Sequence, residues 1–215
     1  MKIYRSSFSL IGITAAIVLQ GCGGGEEGGG TVSPKPPKEL PFYPGELNAC
    51  GNLVNDSDPT NAGGRCIKVA SSSSGWVLYT SSPSQQVLDD WHPYYSSTFI
   101  HTENGITGPA GGTFPKLNNT ERDDWCSYLA NRAFGGRNNW VEANEDQLVT
   151  LRSTNNFDIY GELGWPAGSD YAGAATRSYP VKPGEQAQVD MLMNTDNSQG
   201  YGMSLTQYVS CISVR

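Results

Sequence analysis

Hydrophobic positions in this chain are helically spaced in one stretch and fall in short or alternating runs elsewhere. The helical stretch is residues 123–151, DDWCSYLANRAFGGRNNWVEANEDQLVTL. Trp125, Cys126, Leu129, Ala130 and Ala133 sit at the offsets of one apolar helix face. Gly135 and Gly136 predict the end of that helix, because glycine enters the left-handed C-cap conformation without a Cβ penalty. A second helix is predicted from Asn144, a good N-cap with Gln147 three residues on in capping-box position. Glu145 and Asp146 suit the positive end of its dipole, and Leu148 and Leu151 form a narrow apolar stripe. Helices this short do not hold alone in water, so both must pack on the rest of the chain.

The rest predicts short strands and long loops. Residues 67–70 and 76–79 read as strands separated by the serine run 71–74. Ser82-Pro83-Ser84 opens a short helix through Val87 and Leu88. Residues 92–120 are rich in Gly, Pro and Asn, their aromatics lack a period, and at most one strand is expected there. Leu163 and Trp165 are core candidates ahead of Pro166. Residues 171–178 are weakly strand-like. Residues 188–193 alternate, with Val189, Met191 and Met193 on one face, and 194–200 form a turn cluster. The β-branched and aromatic run 206–214 predicts a final strand, with Tyr208, Ser210 and Ile212 on one face and Val209, Cys211 and Ser213 on the other. The class is α+β.

The N-terminus changes the picture. Lys2 and Arg5 precede the apolar run 8–19, which is too short for a comfortable membrane span and reads as an export signal. It ends in Leu19-Gln20-Gly21-Cys22, which resembles a bacterial lipobox. That resemblance implies cleavage before Cys22 and a lipid on its sulfur. Gly23 stands where an Asp would retain the protein at the inner membrane of enteric-type bacteria, which points to the outer membrane. The following residues are a glycine-rich coil and then a stiffer proline-rich spacer, and neither can form a core. The expected division is a signal at 1–21, the lipidated Cys22 and tether at 22–41, a disulfide-closed extension at 42–74, and one folded domain at 75–215.

The net charge of -7 argues against nucleic acid or anionic lipid as partners, so membrane contact is expected through the N-terminal lipid only. Charged residues are only 16%, which suits an extracytoplasmic domain displaying polar, uncharged loops. Of the five cysteines, setting Cys22 aside leaves Cys50, Cys66, Cys126 and Cys211. An even set in an exported chain suggests two disulfides, with three pairings open. The favoured pairing is Cys50–Cys66, closing a loop rich in Asn, Asp and Gly, with Cys126–Cys211 tying the first helix to the final strand. No Cys-x-x-Cys spacing or nearby His accompanies them, so no metal is expected there.

The ordered segments GWVLYTSSPSQQVLDD, ENGITGPAGGTF, WCSYLANRAFGGRNNWVEANEDQL, LGWP and YVSCISV resemble the C-type lectin-like domain at the tips of invasin- and intimin-type bacterial adhesins. The resemblance covers roughly 75–215. It implies two short helices packed on small antiparallel sheets, with long loops and disulfides, and a role in binding. Val141, Ala143-Asn144 and Gln147 depart from the family's Arg, Pro-Thr and Glu at those places.

The chemistry on offer is sparse. The Glu-Pro-Asn, Gln-Pro-Asp and Trp-Asn-Asp tripeptides of calcium-dependent lectins are missing. Asp190, Asn194 and Asp196 supply oxygens of the type calcium takes, but turn chemistry accounts for them. The two histidines, His92 and His101, sit in the loop-rich region. There is no Gly-x-Ser-x-Gly, and the paired carboxylates read as solvated faces. No catalytic residue, metal or cofactor is assigned. Binding then falls to loop aromatics, with Trp91, Tyr94 and Tyr95 as first candidates and Phe99, Tyr171, Tyr179 and Tyr201 beside them. The expected partner is a protein or glycan held without calcium. The alternative is a structural or accessory subunit of an outer-membrane or periplasmic assembly.

Overall fold

Two hydrophobic cores meet across residues 208–212. Tyr208 and Ile212 are buried in the first core, while Val209 and Cys211 are buried in the second. The alternation expected over 206–214 is therefore present in the burial, but the strand itself is shorter, Cys211–Val214, with Gln207 and Tyr208 in isolated bridges ahead of it.

The structure is a computed structural model and describes residues 47–73, 75–91, 99–174, 188–193, 199–200 and 206–215. The signal, Cys22 and the tether lie outside the described residues, as do Tyr94 and Tyr95. In chain order the elements are β1 (Asn48–Val54), β2 (Cys66–Ser73), β3 (Val77–Thr80), α1 (Gln85–Trp91), β4 (Ile100–Thr102), β5 (Thr113–Pro115) and α2 (Asn119–Asn131). They continue with β6 (Val141–Glu142), α3 (Glu145–Thr154), α4 (Ile159–Leu163), β7 (Tyr171–Ala174), β8 (Gln188–Met191), β9 (Gln199–Gly200) and β10 (Cys211–Val214). A five-stranded sheet in the order β1-β2-β3-β10-β6 is joined by a β4-β5 hairpin and a β7-β8-β9 sheet. Val87 and Leu88 of α1 and Trp125 and Leu129 of α2 pack with Ile67, Val69 and Leu78 in one core. Leu148 and Leu151 of α3 and Ile159 and Leu163 of α4 pack with Ala70 and Tyr79 in the other. Among the described residues no helix is long and apolar enough to cross a membrane.

Several expectations are corrected. The main sheet is mixed rather than antiparallel, because β1 runs parallel to β2 with Asn48 opposite Cys66 and Ala49 opposite Ile67. The serine run does not separate two strands. Residues 71–73 extend β2, with Ser71 opposite Leu78. The break expected between 74 and 75 falls in the β2–β3 connection, and residues 48–73 contribute two strands to the sheet that 77–80, 141–142 and 211–214 complete. Four helices are present among the described residues, where the resemblance implies two and the residues predict a third at 82–88, found as α1. The unexpected α4 is capped by Asp158, whose Oδ1 accepts from the Gly161 amide at 2.8 Å, and ends at the left-handed Gly164.

The first helix starts earlier than its apolar face suggests. Asn118 and Glu121 form a reciprocal capping box, with bonds of 3.0 and 2.7 Å. It also stops before the glycine pair. Ala133 takes the left-handed backbone at φ 48 and is exposed, and residues 134–136 form a 3-10 turn. Arg122 replaces Ala133 on the buried face. The second helix follows expectation: Asn144 and Gln147 form its capping box.

Both disulfides join the favoured pairs. Cys126 and Cys211 are linked across 85 residues, and Cys50 and Cys66 across 16. The second bond closes a loop that wraps a lysine. Lys68 is 0% exposed, and its Nζ donates to the Asp56 carboxylate at 2.9 Å, the Asp56 carbonyl at 3.0 Å and the Asp58 carbonyl at 2.5 Å. The Asn61 amide donates to the same Asp56 oxygen at 2.6 Å. The loop is seated on α4 as well: a Cβ on Gly164 would overlap the Asp58 carbonyl oxygen.

Two buried arginines hold the sheet's far edge. Arg122 donates to Glu142 at 3.0 Å, to the Leu117 carbonyl at 2.9 Å and to Asn119 at 2.7 Å, binding the start of α2 to β6. Arg137, after the glycine pair, donates to the carbonyls of Gly75 at 2.6 Å, Trp76 at 3.0 Å and Ser213 at 2.8 Å, fastening the end of β10 to the start of β3. Burial pushes the Glu142 carboxyl above its usual range, and Arg122 offsets this only in part. A carboxyl raised on folding favours the folded state below its unfolded pKa, and that contribution is lost as pH rises through the folded value. The stability of the wild type relative to Glu142→Gln is therefore expected to be greater at about pH 4 than at about pH 7, near and above the ordinary Glu pKa. Urea titrations of both proteins at the two pH values check it, and a difference that grows with pH contradicts the assignment.

Candidate binding surface

The glycine-rich stretch 103–112 is a built loop, and Glu103 is its anchor. Glycine and asparagine provide the turns. Asn104 Oδ1 accepts from the Ile106 amide at 2.8 Å and the Thr107 amide at 3.3 Å. The Gly105 amide donates to the Gly108 carbonyl at 3.0 Å with Gly105 at φ 82, a conformation that glycine enters without strain. At the base, Glu103 and Gly112 pair through the Glu103 amide at 2.9 Å, and the Gly111 amide donates to the Glu103 carbonyl at 2.9 Å. This closes the hairpin of β4 and β5, two strands in a region where at most one was expected. The chain hides them because the strands are three residues each, too short to show a period.

The Glu103 side chain turns inward and is buried. It accepts from the Tyr208 hydroxyl at 2.9 Å, the Gly168 amide at 3.1 Å and the Thr107 hydroxyl at 3.5 Å. A buried carboxylate needs such donors. Gly108 and Gly168 are required here, since a Cβ on either would overlap this carboxylate. The Ala167 amide closes the clamp on the Thr107 carbonyl at 2.7 Å. Behind it, the Tyr171 hydroxyl donates to the Pro166 carbonyl at 2.8 Å and accepts from the Ser82 amide at 3.4 Å. Burial pushes both phenols far above their usual range, and the Glu103 charge pushes them further, so both stay neutral donors. From the other side, Gly112 lies within 3.1 Å of where a Gly63 Cβ would stand. The disulfide-closed loop thus buttresses the glycine-rich one.

This clamp leaves apolar side chains in solvent. Ile106 at the loop tip is 77% exposed, Phe99 59% and Ile100 51%. They stand on a backbone fixed at both ends, which lowers the ordering cost of a contact. His101, next to them, is half-buried with its ring edge-on to Tyr208 at 6.1 Å.

The sequence candidates fall in different places. Trp91 is the last residue of α1, and its side chain lies outside the described residues. Tyr94 and Tyr95 lie in 92–98, between the end of α1 and Phe99, and are also outside the described residues. Tyr171 is fully buried in the core. Tyr179, Tyr201, Asn194 and Asp196 lie outside the described residues, and Asp190 is buried in β8. Sequence reasoning passed over Glu103, Ile100 and Ile106. The Asn104-Gly105 dipeptide was the available signal, as a turn former directly after a lone acid.

No family model and no curated protein matches the sequence. Among solved structures, the chain is similar to the Yersinia pseudotuberculosis adhesin InvE, at 19% identity and a TM-score of 0.42, over 65% of this chain and 32% of that one. The chain thus spans about a third of the length of that adhesin.

Proposed function

We propose that this protein is a lipid-anchored binding module of the bacterial outer membrane. Its 75–215 region would have a C-type lectin-like fold that recognises a protein or glycan without calcium. The observation that carries the reading is the Glu103 clamp, which holds a loop rigid while its tip, Ile106, and the neighbouring Phe99 and Ile100 face solvent. A loop ordered before contact, carrying large apolar groups, has the properties of a recognition surface. The stretch WHPYYSSTF runs directly into Phe99, and its Trp91, Tyr94 and Tyr95 extend the same segment of chain. The lipobox at Cys22 and the tether behind it support the anchored placement. The reading assigns no catalytic residue and no metal.

The test has two arms. Globomycin is expected to make the precursor accumulate, and Cys22→Ala to release the product from membranes; a precursor indifferent to both removes the lipid anchor. For recognition, partners are captured from the envelope with the chain lacking its signal and then confirmed one by one. Trp91→Ala, the Tyr94→Ala/Tyr95→Ala pair and Ile106→Asp should each weaken binding at least about tenfold. Melting temperature should hold, and EDTA should change nothing. Unchanged affinity in all three variants sinks the surface, and loss of binding in EDTA sinks its calcium independence.

A further inference from the structure

The geometry points to an intramolecular isopeptide bond between Lys68 and Asn61, formed with Asp56 as the proton carrier. Three side chains of complementary chemistry meet inside the Cys50–Cys66 loop: an amine, a carboxamide and a carboxylate. Asp56 Oδ2 takes a hydrogen bond from Lys68 Nζ at 2.9 Å and from Asn61 Nδ2 at 2.6 Å, so one oxygen touches both the nucleophile and the leaving nitrogen. Lys68 is 0% exposed, which keeps water from competing for its amine. Burial also pushes its ammonium below the usual lysine range, against the pull of the Asp56 carboxylate. The Asn61 side-chain oxygen, Oδ1, is buried without a hydrogen-bond partner among the described residues, so its lone pairs are open to a proton as charge develops there. Lys68 is also fixed in position, by the carbonyls of Asp56 and Asp58. Fixing the amine removes part of the ordering cost of bringing the two groups together.

The step balances without a co-reactant. The Asp56 carboxylate takes one proton from the Lys68 ammonium. The freed electron pair attacks Asn61 Cγ, and the bond from Cγ to Nδ2 breaks with its electrons going to nitrogen. Asp56 hands its proton to that nitrogen, and the second proton shed by Nζ follows. Lys68 and Asn61 end as a secondary amide, and ammonium leaves. Nothing is oxidised or reduced. The product closes a second, shorter ring over residues 61–68, overlapping the disulfide loop, by a bond that reducing agents do not open.

Mass spectrometry decides it on the purified full chain after reduction and alkylation. The intact mass is expected to lie one ammonia below that of the unlinked chain. The tryptic map should contain a branched peptide joining Asn61 to Lys68 and lack the free peptide 66–68. Ammonia lost instead by succinimide formation at Asn104-Gly105 would leave Lys68 open to trypsin, so the map separates the two. Asn61→Ala and Asp56→Ala should each carry the full mass expected of them. A wild-type chain that releases peptide 66–68 overturns the assignment, and so does an Asn61→Ala chain in which Lys68 is still blocked.

Discussion

Replacing both Cys126 and Cys211 by alanine is expected to cost about 4.5 kcal/mol, from the loop-closure entropy regained by the unfolded chain. The bond spans 85 residues and ties α2 to β10. Both sulfurs are buried in one core, so the substitution also leaves unfilled space there. Set against an ordinary domain stability of about 5–15 kcal/mol, the loss brings the folded state close to its limit. The Cys50–Cys66 bond closes a far shorter loop, with a separation of 16, and on the same model its loss costs about 3 kcal/mol. Non-reducing urea denaturation of the two double variants measures both. A long-bridge variant within about 1 kcal/mol of wild type, well under the loop-closure value, would show that the native chain gains little from the tie.

Arg122→Met is expected to cost about 3–5 kcal/mol, the range for breaking a buried ion pair from one side. Arg122 has no exposed side chain and Glu142 little. Removing the guanidinium strips donors from Glu142, Leu117 and Asn119 at once, and the carboxylate left behind is already pushed up by burial. Replacing both partners with apolar residues leaves no orphaned charge, so Arg122→Met/Glu142→Leu should recover most of the loss. A double-mutant cycle on denaturation midpoints gives the coupling. If the double variant is as unstable as the sum of the singles, the carbonyl contacts of Arg122 matter more than its ion pair.

The apolar pattern was informative where a residue's neighbours in sequence are also its neighbours in the fold. The capping box of α3 and the two faces of 206–214 could be read because both are short-range patterns. So could the favoured disulfides, since four cysteines leave few choices. What could not be read depends on distant partners. Arg122 looks like a solvated charge next to Asp123 and Asp124, and only the approach of β6 buries it. Glu103 carries no local sign of burial, because its donors Tyr208 and Gly168 are supplied from 105 and 65 residues away. Lys68 interrupts an apolar run and reads as an exception until the carbonyls of a loop wrapped back by the parallel β1–β2 pairing surround it. The loop surface was half legible: Phe99 was named from its type, whereas Ile100 and Ile106 stand out only once their exposure is seen.

The placement of β10 sets a timetable for synthesis. Its neighbour β3 was made more than a hundred residues earlier, as the bond from the Cys211 amide to Thr80 across 131 residues records. At about 5–20 residues per second, a ribosome needs seconds to make that stretch. Throughout that interval β3 has an open edge, and the two cores have no partition between them. Once in an oxidising compartment, Cys50 can pair with Cys66 at a separation of 16, whereas Cys126 must wait for Cys211, 85 residues further on. The sheet therefore stays unfinished until β10 has been made and can reach β3.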